Sequence, residues 1–132
     1  MGAAASYLIG GFDGTVITLL IFIVIDLVSG ITVAAVFRRS PKSESGSLRS
    51  SVCFRGLCGK GMILMFVLIG RRLDLSLGTD YIRDGVCIAF ASGELLSIIE
   101  NAGIMGIPMP SVITKAVDLL GKENRKNNDE RN

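Results

Sequence analysis

GTVITLLIFIVIDLVSGITVAAVF, residues 14–37, is the stretch that decides the fold of this chain. It is almost wholly apolar, with one charge, Asp26, at its midpoint. A helix needs about 20 apolar residues at about 1.5 Å each to cross the hydrocarbon of a bilayer, so this run is long enough to span. An ordinary amphipathic helix of a soluble domain shows polar residues every third or fourth position, and this stretch does not. A carboxylate at mid-membrane depth costs at least a few kcal/mol, which points Asp26 at a partner, a bundle interior or water.

Working outward, the whole chain has 132 residues, 49% of them apolar, with no Trp and no His. That length makes one domain. The preceding MGAAASYLIGGFD lacks Lys and Arg, so the run is not expected to be a cleaved signal, and the Met-Gly start fits a myristoylation context only loosely. The formal charge of +2 hides an asymmetry: residues 38–60 hold Arg38, Arg39, Lys42, Arg49, Arg55 and Lys60 against Glu44, a net of +5. By the positive-inside rule this loop is cytoplasmic and the N-terminus lies outside. Its Ser-rich SPKSESGSLRSS, residues 40–51, reads as a flexible linker. The basic residues lack interleaved aromatics and any recognition motif, so a juxtamembrane anchor on membrane lipids is expected rather than a nucleic-acid partner.

Beyond the linker, 59–78 (GKGMILMFVLIGRRLDLSLG) holds an uninterrupted apolar run of only ten residues, Gly61–Gly70, and 82–101 (IRDGVCIAFASGELLSIIEN) is broken by Glu94. Two arrangements fit: a pair of transmembrane helices carrying charges, or a shallow, conditional hairpin. The short Thr79–Tyr81 link favours antiparallel neighbours. The preferred reading is an all-α membrane protein of about three transmembrane helices, 14–37, 59–78 and 82–101, within a domain covering 1–121. The C-terminus is then cytoplasmic.

On these helices the polar residues form stripes. Gly14, Thr18, Asp26, Ser29, Gly30 and Val33 lie near one face of the first helix; Gly93, Glu94, Ser97, Glu100 and Asn101 share a face of the third. Small residues permit close helix approach in lipid, and hydroxyls can bond across. Asp26 and Glu94 are expected to face a polar interior. Arg71, Arg72 and Asp74 crowd one end of the second helix; the arginines are either charge partners for Asp26 or Glu94 or interfacial residues that snorkel. Glu100 and Asn101 are expected at a helix end in water.

Enzyme chemistry finds little footing. Without His there is no His base and no His metal ligand. Cys53, Cys58 and Cys87 are odd in number and lack a close CxxC pair, so free thiols are expected, and no metal or other cofactor. The GKG at 59–61 fails as a phosphate loop, since Phe54 stands where a Gly is needed and no Ser or Thr follows Lys60. Glu94 and Glu100, six apart, form no clear acid–base pair.

After the third helix, AGIMGIPMP carries two turn-forming glycines and two prolines. SVITKAVDLLGK then forms an amphipathic helix over about 110–121, capped by Ser111 and lying on the membrane surface or against the bundle. The hydrophilic tail, 122–132, is expected to be disordered.

SGELLSIIENAGIMGIPMP resembles the signature of the phage-lysis and toxin-secretion holin family. The matching positions are Glu94, Ser97, Glu100, Asn101, Ala102, Gly103, Gly106, Pro108 and Pro110. Asp26 with Ser29-Gly30, and RGLCGKGMILM at 55–65, add to the likeness, which spans roughly 12–121. Gly93 and Leu95 stand where the family pattern carries Asn and Gly. The resemblance implies a non-enzymatic protein that homo-oligomerises in the bacterial inner membrane and forms a timed lesion releasing an endolysin or a toxin, with an antiholin as a further possible partner. Asp26, Ser29, Gly30, Arg71, Arg72, Asp74, Glu94 and Ser97 would then line the lesion or the subunit contacts. A small ion-conducting channel of pinholin type, or an accessory structural membrane protein, are the alternatives.

Overall fold

A computed structural model describes residues 2–38, 42, 46 and 49–131, and every described element is helical. The helices are α1 (Gly2–Ile9), α2 (Gly14–Thr32), α3 (Ser50–Leu77), α4 (Ile82–Ile104) and α5 (Ser111–Arg131), with a π-helical turn, Val33–Phe37, prolonging α2.

α2 starts where Asp13 caps it: the Val16 amide donates to Asp13 Oδ1 at 3.1 Å. Its hydroxyls are reconciled with an apolar helix by bonding backwards, Thr18 to the Gly14 carbonyl at 2.7 Å and Thr32 to the Val28 carbonyl at 2.8 Å. The π-turn ends at Arg38, which takes a left-handed conformation, φ 50°. α3 closes on Gly78 in the same conformation, and the chain reverses directly into α4.

α4 is the middle helix, packed against both α2 and α3. The core it shares with them is Val16, Leu19, Ile23, Val67, Cys87 and Ala91, flanked by Phe90, whose ring centroid lies 5.8 Å from that of the exposed Phe66. Gly70 sets the α3–α4 spacing: a Cβ there would stand 2.9 Å from the Arg83 Cα. The exposed faces are the apolar ones. Ile17, Ile21, Val24 and Val28 of α2, and Met62, Met65, Ile69 and Leu73 of α3, point outward, while Asp26, Asp74, Arg83, Glu94 and Asn101 are buried. This is the reverse of the usual soluble distribution, and such broad apolar faces suit a lipid surround.

The helices differ from the sequence reading in four places. α2 with its π-turn and α3 are long and apolar enough to cross a membrane; α4, which carries Arg83, Asp84 and Glu94, does not reach that standard by itself, so two helices rather than three qualify among the described residues. α3 begins at Ser50, nine residues before the expected 59 and inside the expected linker. The glycines at 56, 59 and 61 weaken intrinsic helix propensity there, but no proline interrupts the run. Within that linker, residues 40, 41, 43–45, 47 and 48 lie outside the described residues, as does Arg39 of the basic stretch. The tail expected to be disordered continues α5 to Arg131, because beyond Gly121 it contains neither Gly nor Pro and is rich in Lys, Arg and Glu. Finally, the first ten residues supply α1, whose short apolar sequence gives little periodic signal; it packs against α3. α5 turns back along α4, and its Leu120 shares a shallow groove with Thr18 and Cys87.

Candidate functional site: a charged cluster between three helices

One side chain from each of the three long helices meets in the bundle. Lys60 of α3 places its Nζ 2.5 Å from Asp26 Oδ2 of α2 and 2.5 Å from Glu94 Oε2 of α4. The carboxylate side chains are 3% and 7% exposed and the lysine 18%, so the acids are sealed while the lysine stem reaches them from the rim. Asn101, a further two turns along α4, completes the shell: its Nδ2 donates to Asp26 Oδ1 at 3.3 Å and to Ser29 Oγ at 2.9 Å. Ser29 in turn donates to the Asp26 carbonyl at 3.1 Å. Gly30 lies opposite Asn101, whose Nδ2 would be 3.8 Å from a Cβ placed there, an ordinary contact. Ser97, half-buried, lies between Glu94 and Asn101 on the same stretch of α4. Two carboxylates facing one ammonium leave a formal charge of −1 among apolar helices.

A second cluster sits at the hairpin end. Asp74 accepts from Thr79 Oγ1 at 2.6 Å and from the amides of Ile82 and Arg83, each at 3.0 Å, so it caps α4 from the end of α3. Arg83 pairs with Asp13 and Asp84 and donates to the carbonyls of Ile9, Gly10 and Gly11 at 3.1–3.4 Å, tying the α1–α2 turn to α4. Burial pushes the Asp13 carboxyl up, but the Val16 amide and the Arg83 guanidinium outweigh it and hold Asp13 below the usual carboxylate range.

The sequence reading named Asp26, Ser29, Gly30, Glu94 and Ser97, and the structure gathers them. It assigns the other candidates differently. Arg71 and Arg72 do not reach Asp26 or Glu94: Arg71 lies over Gly10, whose φ of +86° and lack of Cβ leave room for the guanidinium, and Arg72 is exposed. Arg71 Nε is buried without a hydrogen-bond partner. Asn101, expected in water, is buried because α4 continues one turn past it to Ile104 before the Gly106 turn. Glu100 is exposed, and Ala102 and Gly103 lie inside α4 with Pro108 and Pro110 in the link that follows. Lys60, Asp13 and Arg83 are missing from the sequence-based set. Lys60 adjoins the Gly61–Gly70 apolar run, but a helix drawn from residue 59 leaves it at the end of that helix instead of inside the bundle. Among the described residues no group of three or more His, Cys, Asp or Glu could hold a metal ion.

Apolar outside and charged within, with two helices able to cross a bilayer, this is a small helical membrane protein. The sequence model of the bacteriophage holin family matches residues 3–122, and the chain belongs to that family. An uncharacterized protein of Listeria innocua is 36% identical over 117 residues, 88% of this chain and 78% of the relative. A Clostridium perfringens protein described as an uncharacterized 14.9 kDa protein in the nagH 3' region is 30% identical over 125 residues, 93% of this chain and 89% of its own. An uncharacterized protein of Halalkalibacterium halodurans is 30% identical over 132 residues, covering 96% and 92%. No solved structure matches.

Proposed function

We propose that this protein is a phage holin that crosses the bacterial inner membrane three times, accumulates, and assembles into a timed lesion that releases an endolysin, or a toxin, from the cytoplasm. Family membership supports the reading, and the single observation that carries it is the Asp26–Lys60–Glu94 cluster. α4 would not insert on its own composition, but with its charges turned inward between α2 and α3 it crosses with them. The basic loop and the end of α4 face the cytoplasm, and the N-terminus lies outside. The closed bundle presents lipid with apolar faces while the protein is dilute. In the lesion the same polar residues, Asp26, Ser29, Glu94 and Ser97, turn to subunit contacts or a shared lumen, and exchanging several buried groups at once makes the change cooperative.

The experiment is controlled expression in a bacterium holding a cytoplasmic endolysin without an export signal, with membrane potential and turbidity followed together. Abrupt depolarisation and lysis that need both proteins is the expected result. Depolarisation without lysis means a small channel, and neither event despite insertion means an accessory role. Asp26→Leu and Glu94→Leu should each shift or abolish lysis; if both trigger on the wild-type schedule, the cluster has no part in lesion formation.

A further inference from the structure

A cleft opens between the C-terminal part of α2 and the N-terminal part of α3. α3 diverges there: its first buried residue is Val67, seventeen residues after its start. The cleft walls are Gly30, Val33 and Ala34 on one side and Cys53 and Gly56 on the other. Arg49 and Lys42, both exposed, line the mouth, and Asp26, Lys60 and Asn101 line the base. The cleft is therefore apolar along its walls and cationic at its mouth, with the paired Asp26 and Lys60 at its floor.

We propose that it binds one anionic phospholipid of the surrounding bilayer, with the phosphate at Arg49 and an acyl chain along the walls. Basic pockets between transmembrane helices recognise anionic head groups in this way. The basic mouth fixes the direction of entry, because Arg49 holds a phosphate there, while the paired Asp26 and Lys60 give the floor no net positive charge to attract it. Gly56 and Gly30 leave the walls without side chains where the chain must pass, and a Cβ at Gly56 would meet nothing within 4 Å. The proposal rests on α2 and α3 crossing the membrane and not on lesion formation, so either can fail alone.

The test uses the protein's own thiols. Cys53 lines the cleft and is half-buried, whereas Cys58 is exposed and lies outside it. The full chain is placed in nanodiscs of phosphatidylcholine alone or mixed with phosphatidylglycerol, and alkylation of both cysteines by a small maleimide is timed by mass spectrometry. Phosphatidylglycerol should slow Cys53 about fivefold, the scale of one basic contact at an anionic surface, and leave Cys58 unchanged. Arg49→Gln should remove most of this protection and Arg49→Lys keep it, which separates loss of charge from loss of fold. Equal Cys53 rates in the two lipids overturn the proposal. So does protection that ignores lipid and instead rises with the number of copies per disc, which would give the cleft to a second copy of the chain.

Discussion

The bundle holds two polar clusters built from the same kinds of residue, and they differ in what their charges bind. At the hairpin end, Asp74 and Arg83 spend most of their hydrogen bonds on backbone, closing the start of α4 and the Ile9–Gly11 turn. Those backbone groups need partners in any fold, so the cluster is explained by the architecture. In the other, Asp26, Lys60 and Glu94 bind one another. Among the described residues no backbone group depends on that ion triad, and apolar residues of similar volume commonly hold helices together as well or better. The hairpin cluster is a fastening; the central one is a group of charges the fold does not require, which is why the functional proposal rests on it.

The strongest way to break this comparison is to remove its one shared cation. Lys60→Met leaves two buried carboxylates uncompensated and should cost about 3–5 kcal/mol, read by equilibrium unfolding in mixed micelles. Adding Asp26→Asn and Glu94→Gln to it should restore much of the loss; a triple variant no better than the single one would show that Lys60 matters for packing rather than charge. Next comes Gly70→Ala, whose methyl meets the α4 backbone. Overpacking there should cost about 1–3 kcal/mol and loosen the Phe66–Phe90 contact, visible in the same unfolding series. Asp74→Ala removes a cap and should cost about 0.5–2 kcal/mol, with faster amide exchange confined to Ile82 and Arg83; exchange that spreads to Asn101 would erase the distinction between the clusters.

Two smaller effects sharpen it. Because Asp13 is held below its ordinary value in the folded chain, its contribution to stability is complete above about pH 4 and fades as pH falls through the folded value. The protection of the Val16 amide, its exchange rate relative to the intrinsic rate at each pH, should therefore fall in acid, and Asp13→Asn should flatten that response; an unaltered profile would remove Asp13 from the fastening. Arg72→Gln, at an exposed position, should change stability by less than about 0.5 kcal/mol, and a larger loss would mean that the arginine pair does reach the interior charges.

How much of this was legible depends on range. The spanning run of α2, the inward pull on Asp26 and Glu94, and the Thr79–Tyr81 reversal follow from local composition, where the cost of charge in lipid is decisive. The partner of those acids did not. Lys60 is 34 residues from each of them, and nothing local separates it from the other basic residues of its neighbourhood. The two arginines look equally suitable by charge, yet α3 runs antiparallel to α4, carries Arg71 to Gly10 and leaves Arg72 exposed. Asn101 is buried rather than in water because the end of α4 lies one turn later than its glycines suggest.

The unequal burial along α3 has a mechanical meaning. Its buried residues, Val67, Gly70 and Asp74, all lie toward Gly78; toward Ser50 it adds to the core only the half-buried Ile63 and Leu64, beside the contact of Lys60 with the two acids. The helix is thus a lever pivoted near the hairpin, and Lys60 rides about 27 Å from the pivot. A swing of about 10° would carry the ammonium about 5 Å, far enough to part it from both acids with hardly any change at the pivot.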